Sequence, residues 1–150
     1  MNIGDSIPKE VIKKIADTVV KPGDTFRIKM DQSNGIVPKK GDTSRNKFFV
    51  VLGQDEQGNI YGGVIINSNI NKNLSYEQTL LLMPLKSSEY SFLDHDSFVD
   101  CARLMTVKKE EFALWQYKGK IKDDDVELIV GTISESKYET KAKLKMFGII

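Results

Sequence analysis

The chain of 150 residues is poor in the side chains that most often build disulfides and metal centres, with one cysteine and one histidine. A single cysteine cannot form an intramolecular disulfide, and these two residues are too few for a structural zinc site. Cys101 lies in an apolar run, which predicts a small buried hydrophobic side chain. We therefore expect no cofactor and no zinc, although acidic residues leave magnesium open.

Long apolar runs and an excess of one charge are also absent. The sequence has no run of about eighteen apolar residues, and its first residues, MNIGDSIPKEVIKK, do not resemble a secretion signal. These absences predict a cytoplasmic protein without a membrane partner. The net charge of +1 excludes a chain-wide positive field that would hold duplex DNA regardless of its sequence. Any contact with nucleic acid must therefore be local.

The residues that are present match a soluble globular protein, with 40% hydrophobic and 29% charged side chains. This length is typical of one domain, so we expect a single domain over 1–150. Within it the sequence predicts an N-terminal helical extension over 1–22. A core with a late helix follows over 23–134, and a C-terminal segment spans 135–150.

Hydrophobic periodicity predicts a mainly β protein. Strand patterns occur at 24–30, 47–53, 60–68, 79–86 and 97–107. We expect these runs to form one curved antiparallel sheet, with the second and third runs joined as a hairpin. Pro84 confines the fourth run to an edge or a strand end.

Two helices complete the predicted elements. Apolar residues recur at helical spacing over 7–20, opposite a row of lysines, at Ile7, Val11, Ile12, Ile15 and Val19. Asp123, Asp124 and Asp125 precede VELIVGTI, and negative charge of this kind favours a helix N-terminus.

A basic cluster occupies the loop before the second strand. Lys39, Lys40, Arg45 and Lys47 stand there against one acid, Asp42. Arg45 is the best candidate for an anion contact because a guanidinium stays protonated and can grip two phosphate oxygens. Lys47 is the second candidate. The alternative is a solvated connection whose lysines only resist aggregation.

The segment 96–121 resembles the PemK/MazF family of bacterial toxin endoribonucleases. The resemblance is carried by Asp96, Ser97, Val99, Cys101, Thr106, Val107, Lys109, Gly119, Lys120 and Ile121. Upstream, PGDTFRIKM and KFFVVL are similar to the first strands of the family. The chain departs from the family pattern at Lys47, at Asn67–Asn69, and at Ala102 and Met105.

The resemblance implies an SH3-like small barrel that forms a homodimer, cleaves single-stranded RNA without metal and is silenced by an antitoxin protein. Such cleavage needs a base, an acid and fixed cations at the phosphate. Arg45 and Lys47 are the candidate cations. His95 and Asp100 are the candidates for proton transfer, because histidine titrates near neutrality and Asp100 could supply a carboxylate base.

Strand alternation supports the placement of Asp100. Over 97–107 it puts Val99, Cys101 and Arg103 on one face and Phe98, Asp100 and Ala102 on the other. If Cys101 faces the core, Asp100 faces outward. The alternatives are a surface histidine at position 95 and a cross-strand ion pair at Asp100.

Further RNA contacts are predicted at Lys39, Lys40, Ser68, Asn69, Tyr117 and Lys118. The aromatic and basic residues of FALWQYKGK can stack unpaired bases and neutralise backbone charge, although core packing and dimer contact are equal alternatives for Tyr117. Two other functions stay open. One is a non-catalytic barrel that binds RNA or protein, and the other is a toxin that inhibits a protein such as a topoisomerase.

Overall fold

Six β-strands form one antiparallel sheet in the computed structural model, which describes residues 7–36, 41–69 and 72–150. The strands are β1 Asp24–Met30, β2 Arg45–Gln54, β3 Ile60–Asn67, β4 Leu82–Leu85, β5 Ser97–Lys108 and β6 Gln116–Lys120. The helices are α1 Lys9–Val19, α2 Tyr76–Thr79, α3 Asp123–Ser134 and α4 Lys141–Met146, and short 3-10 helices span Gln32–Asn34 and Lys109–Leu114. The prediction of a mainly β fold with helices near both ends is confirmed.

The predicted strands agree with the structure in four of five cases. The fourth is shorter than expected, because Thr79 ends α2 and only Leu82–Leu85 is extended. Pro84 lies in this edge strand. An edge strand pairs with one neighbour only, so no second strand requires the N–H that proline lacks. The sequence patterns did not predict β6, whose short polar segment pairs with the distant β1.

The strand order β4-β5-β3-β2-β1-β6 leaves β4 and β6 as edges, so the described part of the sheet is not closed into a hydrogen-bonded barrel. The segment between β4 and β5 lies across the opening. A Cβ atom on Gly119 of β6 would lie 2.8 Å from the ring of Phe92. The Tyr90 hydroxyl accepts a hydrogen bond from the Lys122 N–H at 3.1 Å and donates one to Asp125. Side chains therefore link the two edges that strand pairing leaves apart.

Both faces of the sheet are buried. The first core lies between the sheet and the helices α3 and α4, and includes Val64, Val99, Cys101, Ile129 and Leu144. The second core lies between the sheet and α1, and includes Ala16, Phe26, Phe49, Ile65 and Met105. The two cores explain why β2 and β3 carry nearly continuous apolar runs, since these central strands bury both of their faces.

A buried lysine fixes α1 on the second core. The Lys109 side chain is inaccessible to solvent, and its Nζ donates to Asp17 on α1 and to Gln54 on β2. It also lies 4.8 Å from the centre of the Tyr61 ring, a cation–π contact. The ion pair sets the rotation of α1 about its axis.

That rotation corrects the predicted apolar face of α1. Ile12 and Ala16 are the buried residues of the helix, whereas Val11, Ile15 and Val19 are 44%, 45% and 52% exposed. The physical reason is that α1 packs on the 3-10 helix Lys109–Leu114, where Asp17 bonds Lys109 and Ala16 enters the second core.

Cys101 is expected to resist alkylation in the native protein at pH 8. It is fully buried, and burial, with a smaller contribution from the Asp100 charge, raises the pKa of its thiol to about 12. The reactive thiolate is therefore scarce. The fold favours the protonated thiol, so burial of Cys101 stabilises the protein fully below the ordinary thiol pKa. This stabilisation is lost as the pH rises from the ordinary thiol pKa toward the pKa of the thiol in the folded protein. Mass spectrometry after iodoacetamide treatment checks this. Equal labelling rates in native and denatured protein would contradict it.

Candidate functional site

A groove of about 750 Å³ opens at the end of the sheet where β2 begins and β3 ends. Its walls come from β2, β3, β5 and the loops that follow β3 and precede β5. Six residues predicted for the site line it, namely Arg45, Lys47, Ser68, Asn69, His95 and Asp100. The fold thus gathers side chains that are far apart in the sequence.

Strand register explains why Arg45, Lys47 and Asp100 share one face of the sheet. Phe49 pairs with Ile65 on β3, and Ile65 pairs with Asp100 on β5. Paired residues point to the same face, and alternate residues along a strand do so as well. Arg45 and Lys47 therefore lie on the face of β2 that also carries Phe49, the face to which Asp100 belongs. Cys101 is buried in the first core, and Asp100 lies half-buried on the opposite face.

The floor of the groove is continuous with the second core. Ile36 and Met105 belong to that core and also line the groove. A Cβ atom on Gly35 would lie 2.9 Å from the Met105 sulfur, so the turn after the first 3-10 helix packs directly on β5. The Asn34 side chain donates to the Thr106 carbonyl at 2.9 Å. The polar side chains that line the groove are therefore supported by well-packed residues of the second core.

The lining of the groove carries more positive than negative charge. Its basic side chains are Arg27, Arg45, Lys47 and Arg103, against the acids Asp94 and Asp100. Lys47 Nζ donates to Asn67 Oδ1 at 2.6 Å, which directs the ammonium group along β3. Among the described residues, neither Arg45 nor Arg103 forms an ion pair. Their charges remain available to an anionic ligand.

Asp100 is half-buried at the edge of this positive surface. Its Oδ1 accepts a hydrogen bond from the Ala102 N–H at 3.0 Å, which fixes the carboxylate. No hydrogen bond to its Oδ2 is found within the described part of the chain. That oxygen can therefore accept a proton from a ligand.

His95 is exposed at the rim of the groove, on a loop whose backbone is fixed on both sides. The Ser97 hydroxyl donates to the His95 carbonyl at 2.9 Å. Asp96 accepts hydrogen bonds from the Ser87 N–H at 2.9 Å and the Ser87 hydroxyl at 3.1 Å, and these bonds lower the pKa of the Asp96 carboxyl. The backbone that carries the imidazole is thus held by hydrogen bonds at His95 and Asp96.

Two predicted contacts, Tyr117 and Lys118, lie outside the groove. Both are on β6, where Tyr117 pairs with Phe26 and its ring lies 5.6 Å from the Phe26 ring. Tyr117 is 57% exposed. Tyr117 and Asp100 lie in the same cross-strand row, but the strands β1, β2 and β3 stand between them. Lys39 and Lys40 are outside the described residues.

Arg103 is a residue of the groove that the sequence analysis placed wrongly. Alternation grouped it with Val99 and Cys101 on the core face, but it is exposed and lines the groove. The reason is a wide bulge in β5. Gly63 pairs with Met105, and Ile65 pairs with Asp100. Between these two pairs, one residue of β3 therefore lies opposite four residues of β5. No local sequence signal marks this bulge.

No protein-family model matches this chain, and no curated protein matches it significantly. Among the described residues, no group of three or more histidine, cysteine or acidic side chains is arranged to hold a metal ion. No helix of the same residues is long and apolar enough to span a membrane. The function is therefore argued from the groove.

Proposed function

We propose that the protein is an endoribonuclease of the PemK/MazF toxin type that cleaves single-stranded RNA. One observation carries the proposal. Arg45, Lys47, His95 and Asp100, chosen from the sequence for this chemistry, line a single groove although they come from two distant parts of the sequence, 45–47 and 95–100. A groove that only binds RNA would need the cations but would not need a carboxylate and a histidine in its lining as well.

The proposed reaction is attack of a ribose 2′-hydroxyl on the adjacent phosphorus. A base, Asp100 or His95, takes the proton of the 2′-hydroxyl, and the 2′-oxygen forms a bond to phosphorus. The bond to the 5′-oxygen breaks, and the other residue of the pair donates a proton to that oxygen. The products are a 2′,3′-cyclic phosphate and a 5′-hydroxyl, so no external reactant is consumed.

Arg45 and Lys47 would stabilise the negative charge that develops on the phosphate oxygens. This charge grows toward the transition state, and cations already fixed in place stabilise it without further reorganisation. Lys47 is directed by its bond to Asn67, and Arg45 lies two residues away on the same face of β2. Ser68 and Asn69, which follow β3, would position the phosphate.

The direct test is incubation of the purified protein with mixed-sequence single-stranded RNA in excess chelator. The expected result is cleavage with 2′,3′-cyclic phosphate ends, identified by mass spectrometry of the fragments. Binding of RNA without cleavage, over many sequences and without a partner protein present, would instead support the non-catalytic alternative.

His95→Ala is expected to flatten the pH–rate profile of cleavage near neutrality. The imidazole is the only side chain in the protein whose ordinary titration falls in that range, and it reaches the groove from an anchored loop. Initial rates across the pH range would be compared with those of Ser91→Ala, a nearby exposed position outside the groove lining. An unchanged profile would remove His95 from the proton transfer.

The proposed assembly is a homodimer in the cytoplasm, regulated by an antitoxin protein. Val11, Ile15 and Val19 recur every four residues on the solvent side of α1, and form an exposed apolar stripe that a second copy would cover. Light scattering is expected to give about twice the monomer mass of 16.9 kDa, and Ile15→Asp to lower it toward the monomer. A monomer at tens of micromolar would contradict the dimer.

A further inference from the structure

The linker between α3 and α4, residues 135–140, holds the bulge of β5 in place. The Ser136 hydroxyl donates to the Ala102 carbonyl at 2.6 Å, and the Leu104 N–H donates to Glu139 Oε2 at 2.7 Å. Ser136 is buried, and the Glu139 side chain is 5% exposed. The two bonds satisfy backbone groups of the bulge, which buried polar groups require.

Arg103 lies between these two anchored residues. Its guanidinium carbon is 5.8 Å from the centre of the Tyr138 ring, in a cation–π contact with the same linker. A guanidinium that rests on a ring keeps the N–H groups at its edge available, and these match the oxygens of a phosphate. The linker thus presents a preorganised cation to the groove.

Arg103 and Arg45 mark opposite ends of the groove. β2 and β5 are separated by β3, and Arg45 lies four residues before the cross-strand row that contains Asp100. Arg103 lies further along β5 in the direction away from Arg45. The two guanidinium groups are therefore placed for different phosphates of one chain.

We infer that Arg103 is a phosphate-binding residue at the far end of the groove, and that Tyr138 is its positioning residue. The inference rests on the proposed function in one respect, that the ligand is single-stranded RNA. The inference assigns a role to the C-terminal part of the chain. Residues 136–139 do not line the groove, but they contact the part of β5 that does.

The test uses a fluorescent RNA strand of about ten nucleotides with 2′-O-methyl groups, long enough to span such a groove and unable to undergo 2′-hydroxyl attack. Affinity is measured by anisotropy from about 50 to 200 mM salt. Arg103→Ala is expected to weaken binding about tenfold and to lower the slope of log affinity against log salt by about 0.7, one phosphate contact on a single strand. Arg103→Lys should keep the slope.

Tyr138→Ala should keep the slope and weaken binding a few-fold, whereas Tyr138→Phe, which retains the ring, should match the wild type. Lys108→Ala is the matched control, since this exposed lysine lies on the same strand but outside the groove lining. Thermal unfolding of each variant separates loss of a contact from loss of the fold, because partial unfolding lowers the active fraction without changing the salt slope.

A wild-type slope for Arg103→Ala would overturn the inference, even if the unmodified RNA is cleaved. Failure of the wild-type protein to bind the strand would overturn it as well. An Arg103-dependent slope in a protein that never cuts unmodified RNA would support the inference while contradicting the proposed cleavage.

Discussion

Replacing Arg45 with alanine is expected to slow cleavage of single-stranded RNA by about a hundredfold or more, the usual cost of removing one transition-state donor. Arg45 is half-buried in the groove and forms no ion pair within the described residues, so its charge is directed at the ligand. The rate should be measured in single turnovers with enzyme in excess, because weaker binding then does not hide the change in the chemical step.

Two further variants make the Arg45 experiment specific. Arg45→Lys should restore part of the rate, because it keeps the charge and loses the bidentate geometry. Lys145→Ala, on the exposed surface of α4 and outside the groove, should cleave like the wild type. If Arg45→Ala cleaves within about threefold of the wild-type rate, it lacks the effect expected of a transition-state cation, and the groove is not the active site.

Gly63→Ala is expected to destabilise the protein by about 3 kcal/mol or more, at the upper end of the cost of overpacking a core. A Cβ atom at this position would lie 2.0 Å from the Val50 carbonyl oxygen and 2.7 Å from the ring of Phe49. Both belong to the central strand β2, and both residues are fully buried, so neither has space into which to move. The register of β3 shifts next to Gly63 in its pairing with β2 and also in its pairing with β5. These shifts agree with the close approach of β2 and β3 at this residue.

Urea unfolding followed by Trp115 fluorescence measures the effect. Gly131→Ala is the matched control, because Gly131 lies inside α3 with open space around its Cβ position. Alanine there should raise the free energy of unfolding by up to about 1 kcal/mol through helix propensity alone. Equal unfolding midpoints for Gly63→Ala and the wild type would contradict the close approach of β2 and β3.

The sequence was sufficient for elements that depend on local pattern. The runs that became β1, β2, β3 and β5 have strand periodicity, and the three aspartates before α3 favour a helix start at that point. Proline at position 84 correctly predicted an edge strand. In each case the decisive signal lies within a few residues of the element itself.

Elements that depend on a distant partner could not be predicted in this way. β6 is five residues long, contains a glycine and is extended because β1, far away in the chain, supplies its hydrogen bonds. The rotation of α1 depends on the contact between Asp17 and Lys109, which hydrophobic spacing does not encode.

The candidate site shows the same division. Residue chemistry, together with the family resemblance, selected Arg45, Lys47, His95 and Asp100, because only certain side chains can hold a phosphate or carry a proton near neutrality. Tertiary structure decided which selected residues meet. Strand register gathers these four in one groove and leaves Tyr117 on the edge strand β6, outside the groove, a separation that residue types alone do not predict.

Arg103 gives the clearest physical reason for the difference. The sequence determined its charge and its strand, and strict alternation then placed it on the core face. Only the tertiary structure turned it into the groove, because Ser136 and Glu139 bond the backbone on either side of it and stabilise a bulge that reverses the alternation. The residues of β5 by themselves predict regular alternation between the two faces. The hydrogen bonds that interrupt this alternation come from another part of the chain.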